Sequence, residues 1–454
     1  MNKHGLSKEH LKFSGLFVLL MMVFLLLFGD RPSSDNLVFF LTLQAVAVLG
    51  PIAASIFYRQ RLWSPLVFYP VLYSLYFSFG GLGISQFFPE ISARSYQMLV
   101  LGLLSFQTGA LLAIAFFRPS GFVSTGMVVR RLNRSRVILV SLVVGFVSLS
   151  IHTYILKSKG LIFLKADFEE VRVTIVEFIG AYLFYIMFAT MEVVLLLLVY
   201  RITHKKAGMV LWSIIALLSV LPLDVGSRTR ILLPFLIAAI FFYLYSGERF
   251  KISRVLLVAG AAILFIGAVG AYRLTSIESG SLEELFGLKL LMEFSLGSYT
   301  LETIVSRMGH SYIPFHVFFS PLATLLPGKQ LVVDYYLKNI LNLQFVGGGF
   351  TPTIVGGFYV YGGAYAVVIG MGLYGMLLGC LYKIYIYSMR NREYYWPFIL
   401  LYAYFLSYAI LGLKNGFFTS LEPTFHLCVL VMILLLCIRR ERNSDLARPR
   451  SIFP

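Results

Sequence analysis

Apolar residues in this chain come in long runs and do not alternate as they would in a strand. A helix needs roughly 20 apolar residues to cross a bilayer. Twelve stretches approach that length, at about 12–29, 36–57, 66–85, 96–117, 136–156, 178–200, 208–223, 229–246, 254–271, 357–382, 394–412 and 422–438. Such runs predict membrane-crossing α-helices, whereas a β-barrel would leave only short alternating segments. The expected fold is therefore all-α: a polytopic helical membrane protein with about 12 transmembrane helices, residues 1–454 forming a single integral membrane domain.

One long segment breaks the pattern. Residues 272–356 lie between two apolar runs and are far richer in polar side chains than the rest of the chain. Ser281-Leu282-Glu283-Glu284 has the capping-box pattern and precedes an apolar stripe of Leu285, Leu288, Leu291 and Met292, which predicts a helix. A second helix is expected from about Ser298 to Met308, stopped by Gly309. A third is expected from Gln330 to Leu341, after the Pro327-Gly328-Lys329 turn. All three are amphipathic enough to lie flat on a membrane or over the helix bundle.

Composition supports this picture. The chain is 59% hydrophobic and 13% charged, with a mean hydropathy of +0.83; both lie outside the range of soluble domains. In a soluble protein a net charge of +17 would suggest a nucleic-acid partner. Here most of the positive charge lies in short connections, as cytoplasmic loops require, and no nucleic acid is expected. One set of connections carries Arg59 and Arg61; Arg118, Arg130, Arg131, Arg134 and Arg136; Arg201, Lys205 and Lys206; Arg249, Lys251 and Arg254; and Lys383, Arg390 and Arg392. Both termini are basic too, so they fall on the same, cytoplasmic side. The segment 272–356 then lies on the opposite face. The first apolar run has no small-residue cleavage site and reads as a retained helix. Cys380, Cys428 and Cys437 all fall in apolar runs and read as small buried hydrophobes.

Candidate chemistry sits on the outward-facing connections. Arg228 and Arg230 flank Thr229 where an apolar helix begins. They are either a snorkelling pair neutralised by Asp224 or a clamp for a diphosphate. Arginine suits a clamp, because its planar fork donates two parallel hydrogen bonds to phosphate oxygens and keeps its charge. A helix N-terminus beside it adds free N–H groups. Arg273 also stands at the outer end of its helix, and Arg172 is a further candidate, with Glu169 and Glu170 close enough in sequence to satisfy it as an ion pair. A base for a sugar hydroxyl must be a carboxylate or imidazole within hydrogen-bond reach. Glu302, His310, Asp334 and Glu278 qualify, with Glu302 and His310 first; His316 and His426 rank lower. The run Gly347-Gly348-Gly349-Phe350-Thr351-Pro352-Thr353 reads as a re-entry turn or a lid, with Thr351 or Thr353 capping the helix that follows. No P-loop, dinucleotide fingerprint or metal-ligand cluster is present, and no cofactor is expected. An outward-facing enzyme without a nucleotide pocket needs a donor activated beforehand, and a lipid diphosphate is one.

Several islands resemble a known family. Gly160-Leu161-Ile162-Phe163-Leu164, Gly226-Ser227-Arg228, Tyr272-Arg273, Pro321 to Gly328 (PLATLLPG) and Thr351-Pro352-Thr353-Ile354-Val355-Gly356 are similar to stretches of Wzy-type polymerases. These are the repeat-unit polymerases of bacterial surface polysaccharides, including O-antigen and enterobacterial common antigen. Glu302 matches an acidic position in the long loop of the common antigen enzymes. Lys329 departs from relatives that carry arginine after the Pro-Gly turn.

The resemblance implies a metal-independent glycosyltransferase in the bacterial inner membrane, with both termini in the cytoplasm and its active site facing the periplasm. It implies transfer of a growing glycan from undecaprenyl diphosphate onto a new lipid-linked repeat unit. Arg172, Arg228, Arg230 and Arg273 would hold the diphosphate, and Glu302 or His310 would take the acceptor proton. A chain-length regulator (a co-polymerase) is an expected partner, and the repeat-unit flippase another. Two other readings stay open. An O-antigen ligase would share the arginines and would carry a histidine such as His310. A transporter would have ionisable residues inside spans, of which Glu192 is the main candidate. The sugars, the linkage and the chain length are not encoded in these features.

Overall fold

In the computed structural model the described residues are 41–48, 63–81, 91–119, 132–160, 189–204, 209–220, 228–246, 282–309, 311–319, 333–343, 350–389, 392–416 and 422–438. The ordered elements among them are helices, apart from one isolated bridge between Leu132 and Ile438. We number the helices α1 Phe68–Gly81, α2 Ala93–Phe116, α3 Arg134–Lys159, α4 Thr190–His204, α5 Met209–Val220, α6 Arg228–Tyr245, α7 Leu282–Met308, α8 Val333–Ile340, α9 Ile354–Tyr359, α10 Gly363–Ser388, α11 Arg392–Asn415 and α12 Glu422–Cys437. A 3-10 turn covers Phe315–Phe319.

These are not the expected spans one for one. Among the described residues four helices are long and apolar enough to cross a bilayer: α2, most of α3, α10, and α11 from Tyr395 to Lys414. Shorter apolar stretches lie in α6 (Leu232–Tyr245) and α12 (His426–Cys437). The runs expected at 12–29 and 254–271 lie outside the described residues, as do most of 36–57 and the first part of 178–200. The chain is an all-helical membrane protein, and it divides into two compact units. Unit one comprises Met1–Arg118, Leu256–Lys383 and Phe405–Pro423; unit two comprises Pro119–Val255, Ile384–Tyr404 and Thr424–Pro454.

Unit one is built on a seam between α2 and α10. Lipid tails are as apolar as leucine, so helices in a bilayer associate by close backbone approach at small residues. Gly375 lies against the Phe106 carbonyl, and a Cβ there would sit 2.8 Å from the carbonyl carbon. Gly109 abuts the Gly372 carbonyl, and a Cβ on Gly379 would lie 2.7 Å from the Ala113 Cβ. Gly102 faces Met371 and Val355, while Gly379 faces Ala110 and Ala113. The register therefore advances in the same direction on both helices, which run parallel. Aromatic side chains fill the space beside the seam, with Tyr69 stacked on Phe106 at 4.0 Å and edge-on to Tyr374 at 6.0 Å. Several buried polar groups in this apolar setting are paired, as the absence of water favours. The Tyr73 hydroxyl donates to the Leu99 carbonyl at 2.9 Å, the Gln107 amide donates to Val46 O at 2.9 Å, and Gln44 is bonded to Ser74 and Ser78.

The structure corrects the reading of 281–308. Two separate helices were expected there; α7 is continuous from Leu282 to Met308. Gly297 does not stop the helix. It gives α7 a flat spot on which the Tyr76 ring of α1 rests, with no room for a Cβ. Ser298 Oγ donates to the Phe77 carbonyl of α1 at 3.3 Å, and Leu301, Ile304 and Val305 are buried. Of the two placements open to these helices, this half packs on the bundle. The expected tenth span is also interrupted. Thr353 caps the short α9, and the chain turns at Val360–Gly362 before α10 begins at Gly363. Gly363 has φ +62, the left-handed region that a side chain disfavours.

In unit two, α4 packs against α3, α5 and α6. Asn133 caps α3 by accepting from the Ser135 and Arg136 amides at 3.0 and 3.3 Å. Its own amide donates to Cys437 O at 2.8 Å, and Arg136 Nη1 reaches Leu436 O at 3.3 Å. The start of α3 is thereby tied to the end of α12. Leu139, Leu142, Val143 and Phe146 of α3 are exposed, which suits a helix facing lipid. One carboxylate–imidazole pair is buried here: the Glu192 carboxylate of α4 meets His426 Nδ1 of α12, with residue exposures of 5% and 1%. Removing one partner of such a pair strands a polar group in an apolar interior.

Two outcomes follow. Gly375→Ala should lower the thermal midpoint of the detergent-purified protein by several degrees. Gly372→Ala should leave it near wild type, because a Cβ at Gly372 meets only Ser105 O at an ordinary 3.7 Å. A thermal-shift assay compares them. Replacing either Glu192 or His426 by leucine should cost about 3 kcal/mol, with the double replacement costing less than the sum; a double-mutant cycle on denaturation checks this.

Candidate functional site

Polar side chains gather at the end of unit one where α2 begins. Ser92 is the N-cap of α2, and its hydroxyl accepts from the Ser95 amide at 3.3 Å. The Ser92 amide and hydroxyl both donate to Glu302 Oε2 of α7, each at 2.8 Å. The carboxylate thus closes the open end of α2 and sits where the positive end of the helix dipole favours it. Two donors onto one oxygen hold the side chain in a single pose.

Opposite this, α9 is set by Thr353, whose hydroxyl accepts from the Gly356 amide at 3.2 Å. Gly356 packs against Ile304 of α7, where a Cβ would come within 2.9 Å, so α7 and α9 lie against each other. The helix ends in Tyr359, which is 1% exposed. Its hydroxyl has no hydrogen-bond partner among the described residues. Tyr359 precedes Gly363, where the spanning helix starts. Burial pushes its hydroxyl above the usual tyrosine range, the Arg94 guanidinium pulls it back down, and Tyr312 adds a smaller upward push.

Arg94, the second residue of α2, is exposed, and among the described residues it makes no ion pair. The Tyr312 ring stands edge-on to Tyr359 at 6.5 Å and 72°. The Ile313 amide donates to Val360 O at 2.7 Å, tying this strand of chain to the turn after α9. Beyond it, Phe315, Phe318 and Tyr361 form an aromatic cluster, with Phe315 and Phe318 stacked at 5.5 Å and Tyr361 edge-on to both.

The residues nominated from sequence fare as follows. Glu302 is at this site. Arg228 and Arg230 are in the first turn of α6, in unit two. Arg172, Arg273 and His310 lie outside the described residues, as do Glu278 and the run 344–349. Asp334 is the second residue of α8. His316 is exposed in the 3-10 turn, while His426 is the buried partner of Glu192. Thr353, one of the two capping candidates, is the cap of α9. Among the described residues, no three of His, Cys, Asp and Glu are placed to hold a metal ion.

Arg94 and Tyr359 are the additions the structure makes. Arg94 could have been noticed, because it falls between the third and fourth expected spans, in a short connection on the expected outward side, where the topology rule does not call for a cation. Tyr359 had no such signal among 28 tyrosines.

Fold and composition define a helical membrane protein with a polar, aromatic-rimmed site at the end of one helix unit. The sequence profile of the family described as "Putative O-antigen polymerase" matches residues 11–422, nearly the whole chain, and the protein belongs to that family. Its role is in cell-surface polysaccharide biosynthesis. Searches of curated proteins and of solved structures found no match.

The Ser92–Glu302 arrangement makes a direct prediction. Ser92→Ala removes the cap and one of the two donors to Glu302, and should cost about 1 kcal/mol of stability. Ser92→Thr, which keeps both, should cost less. Denaturation followed by tryptophan fluorescence measures both.

Proposed function

We propose that this protein polymerises a surface polysaccharide by moving the growing glycan from undecaprenyl diphosphate onto a lipid-linked repeat unit. The observation that carries the reading is the family match across residues 11–422. The fixed Glu302 carboxylate supports it, because the acceptor hydroxyl requires a base. In this reaction the bond between the donor's anomeric carbon and the diphosphate oxygen breaks. The diphosphate leaves with the electron pair, and the acceptor oxygen bonds to the anomeric carbon. The acceptor proton passes to Glu302 or His310.

Arg228, Arg230, Arg273 and Arg172 are assigned to the diphosphate. They stabilise the charge that grows as it departs, an effect worth several kcal/mol of barrier when cations are positioned beforehand. With that charge supplied by arginine, the scheme calls for no metal. We place the reaction on the periplasmic face of the inner membrane, within the segment 272–356, with both termini in the cytoplasm. The distribution of Lys and Arg supports that orientation. A chain-length regulator and the repeat-unit flippase are the partners such a reaction calls for.

Electrophoresis of surface glycan tests the reading, with lipopolysaccharide as the first product to inspect. A strain lacking the gene should show core carrying a single repeat unit, and wild-type complementation should restore the full ladder. Arg228→Ala and Glu302→Gln should each leave the ladder absent or shortened at normal protein level. Bare core, with polymer accumulating on the lipid carrier, would mean a ligase instead.

A further inference from the structure

A buried hydroxyl without a partner costs about 1–3 kcal/mol, and one that persists in a folded protein calls for a reason. The Tyr359 hydroxyl is such a group, and its surroundings differ from those of an ordinary core tyrosine. It ends a short helix just before the turn at Val360–Gly362, with the Tyr312 ring edge-on to it and the exposed Arg94 guanidinium near enough to act on its hydroxyl. The Tyr312 hydroxyl lies over Gly363, where a Cβ would come within 2.6 Å, so this glycine leaves room for the ring. Tyr312 and Phe315 present exposed aromatic surface.

We propose that Arg94, Tyr359 and Tyr312 form a sugar-binding subsite that receives the acceptor repeat unit beside Glu302, with Phe315 and Tyr361 covering an apolar ring face. The proposal rests on the polymerase reading and names the acceptor side of it.

The charge pattern argues for a neutral polyol over a phosphate. Ser92, two residues before Arg94, donates to the Glu302 carboxylate. A diphosphate seated on Arg94 would meet that negative charge, and like charges at short range are costly. A sugar presents hydroxyls that both donate and accept. Arginine donates to them, tyrosine hydroxyls do either, and a carboxylate accepts from them. A sugar ring also has an apolar face that aromatic side chains cover. An aromatic belt at a membrane interface would account for Tyr312 and Phe315. It does not account for Tyr359, whose hydroxyl is buried instead of facing water.

The probe is the repeat-unit oligosaccharide released by mild acid from the lipid carrier of a strain lacking this gene. It carries no lipid or diphosphate, so its binding reports sugar contacts alone. Saturation-transfer NMR on the full-length protein in nanodiscs gives its affinity. Tyr359→Phe keeps the ring and its packing, and should weaken binding about fivefold, the equivalent of one hydrogen bond. Arg94→Gln should weaken it tenfold or more. Arg307→Gln changes an exposed cation at the end of α7 and should bind as wild type does.

Equal affinity in all four proteins would overturn the subsite. A loss in Arg307→Gln as large as in Arg94→Gln would overturn it too, by showing general charge attraction. Tyr359→Phe that is more stable than wild type and binds equally well would assign the hydroxyl to the fold and refute its role in binding. Elongation of intact lipid-linked units by the same wild-type sample is measured separately. Its absence would contradict the polymerase reading without touching the binding comparison.

Discussion

The close approach of α2 and α10 is the constraint on which the rest of unit one depends. In lipid no hydrophobic force drives one apolar helix against another, so contact must come from backbones brought near by small residues. Gly109 and Gly375 meet carbonyls of the facing helix directly. Because the two helices run parallel, this contact brings the start of α2 to the same end as the turn that leads into α10. Ser92 and Arg94 come from one, Thr353, Tyr359 and Gly363 from the other. Glu302 is then added by α7, whose own flat spot at Gly297 seats it on α1. The site is thus largely a consequence of how the helices approach, with Tyr312 and Tyr361 added by the connections between helices.

Polar groups obey the same rule at different depths. Gln44, Ser74, Ser78, Gln107 and Tyr73 satisfy one another or a carbonyl within the helix bundle. Glu192 and His426 do so as a carboxylate–imidazole pair in unit two. At the end of α2 the Glu302 carboxylate is satisfied by Ser92, whereas the Tyr359 hydroxyl is not. The Tyr69 hydroxyl is also without a hydrogen-bond partner among the described residues, but it lies within an aromatic cluster, whereas Tyr359 stands at the end that carries Arg94 and is the group we assign to a ligand.

Much of the architecture was legible in the sequence. Hydropathy runs located α2, α3, α11 and α12 to within a few residues, because a span's length is dictated by the bilayer and not by its neighbours, while the tenth run was placed at 357–382 and the helix is Gly363–Ser388. The stop at Gly309 was placed correctly, and α7 begins at Leu282, while the capping residue Ser281 lies outside the described residues. The division into two helices, the second from about Ser298, was wrong: α7 runs through Gly297, which packs against Tyr76 of α1. The interruption before Gly363 was hidden because a tight turn inside an apolar run leaves hydropathy unchanged. At the site, Glu302 was one of four candidate bases in the polar segment, ranked first together with His310. Its donor Ser92 lies 210 residues away and left no local trace. Arg228 and Arg230 begin α6, as the switch from polar turn to apolar run implied.

Elongation of a glycan held on a lipid diphosphate is the activity we propose for this family member. The most direct measurement takes purified protein in nanodiscs and supplies lipid-linked single repeat units, with no nucleotide sugar and with chelator present. The account predicts a ladder of lipid-linked products that grows by one repeat unit per step, with release of undecaprenyl diphosphate. Single units recovered unchanged, from protein that is folded by its thermal transition, would contradict it.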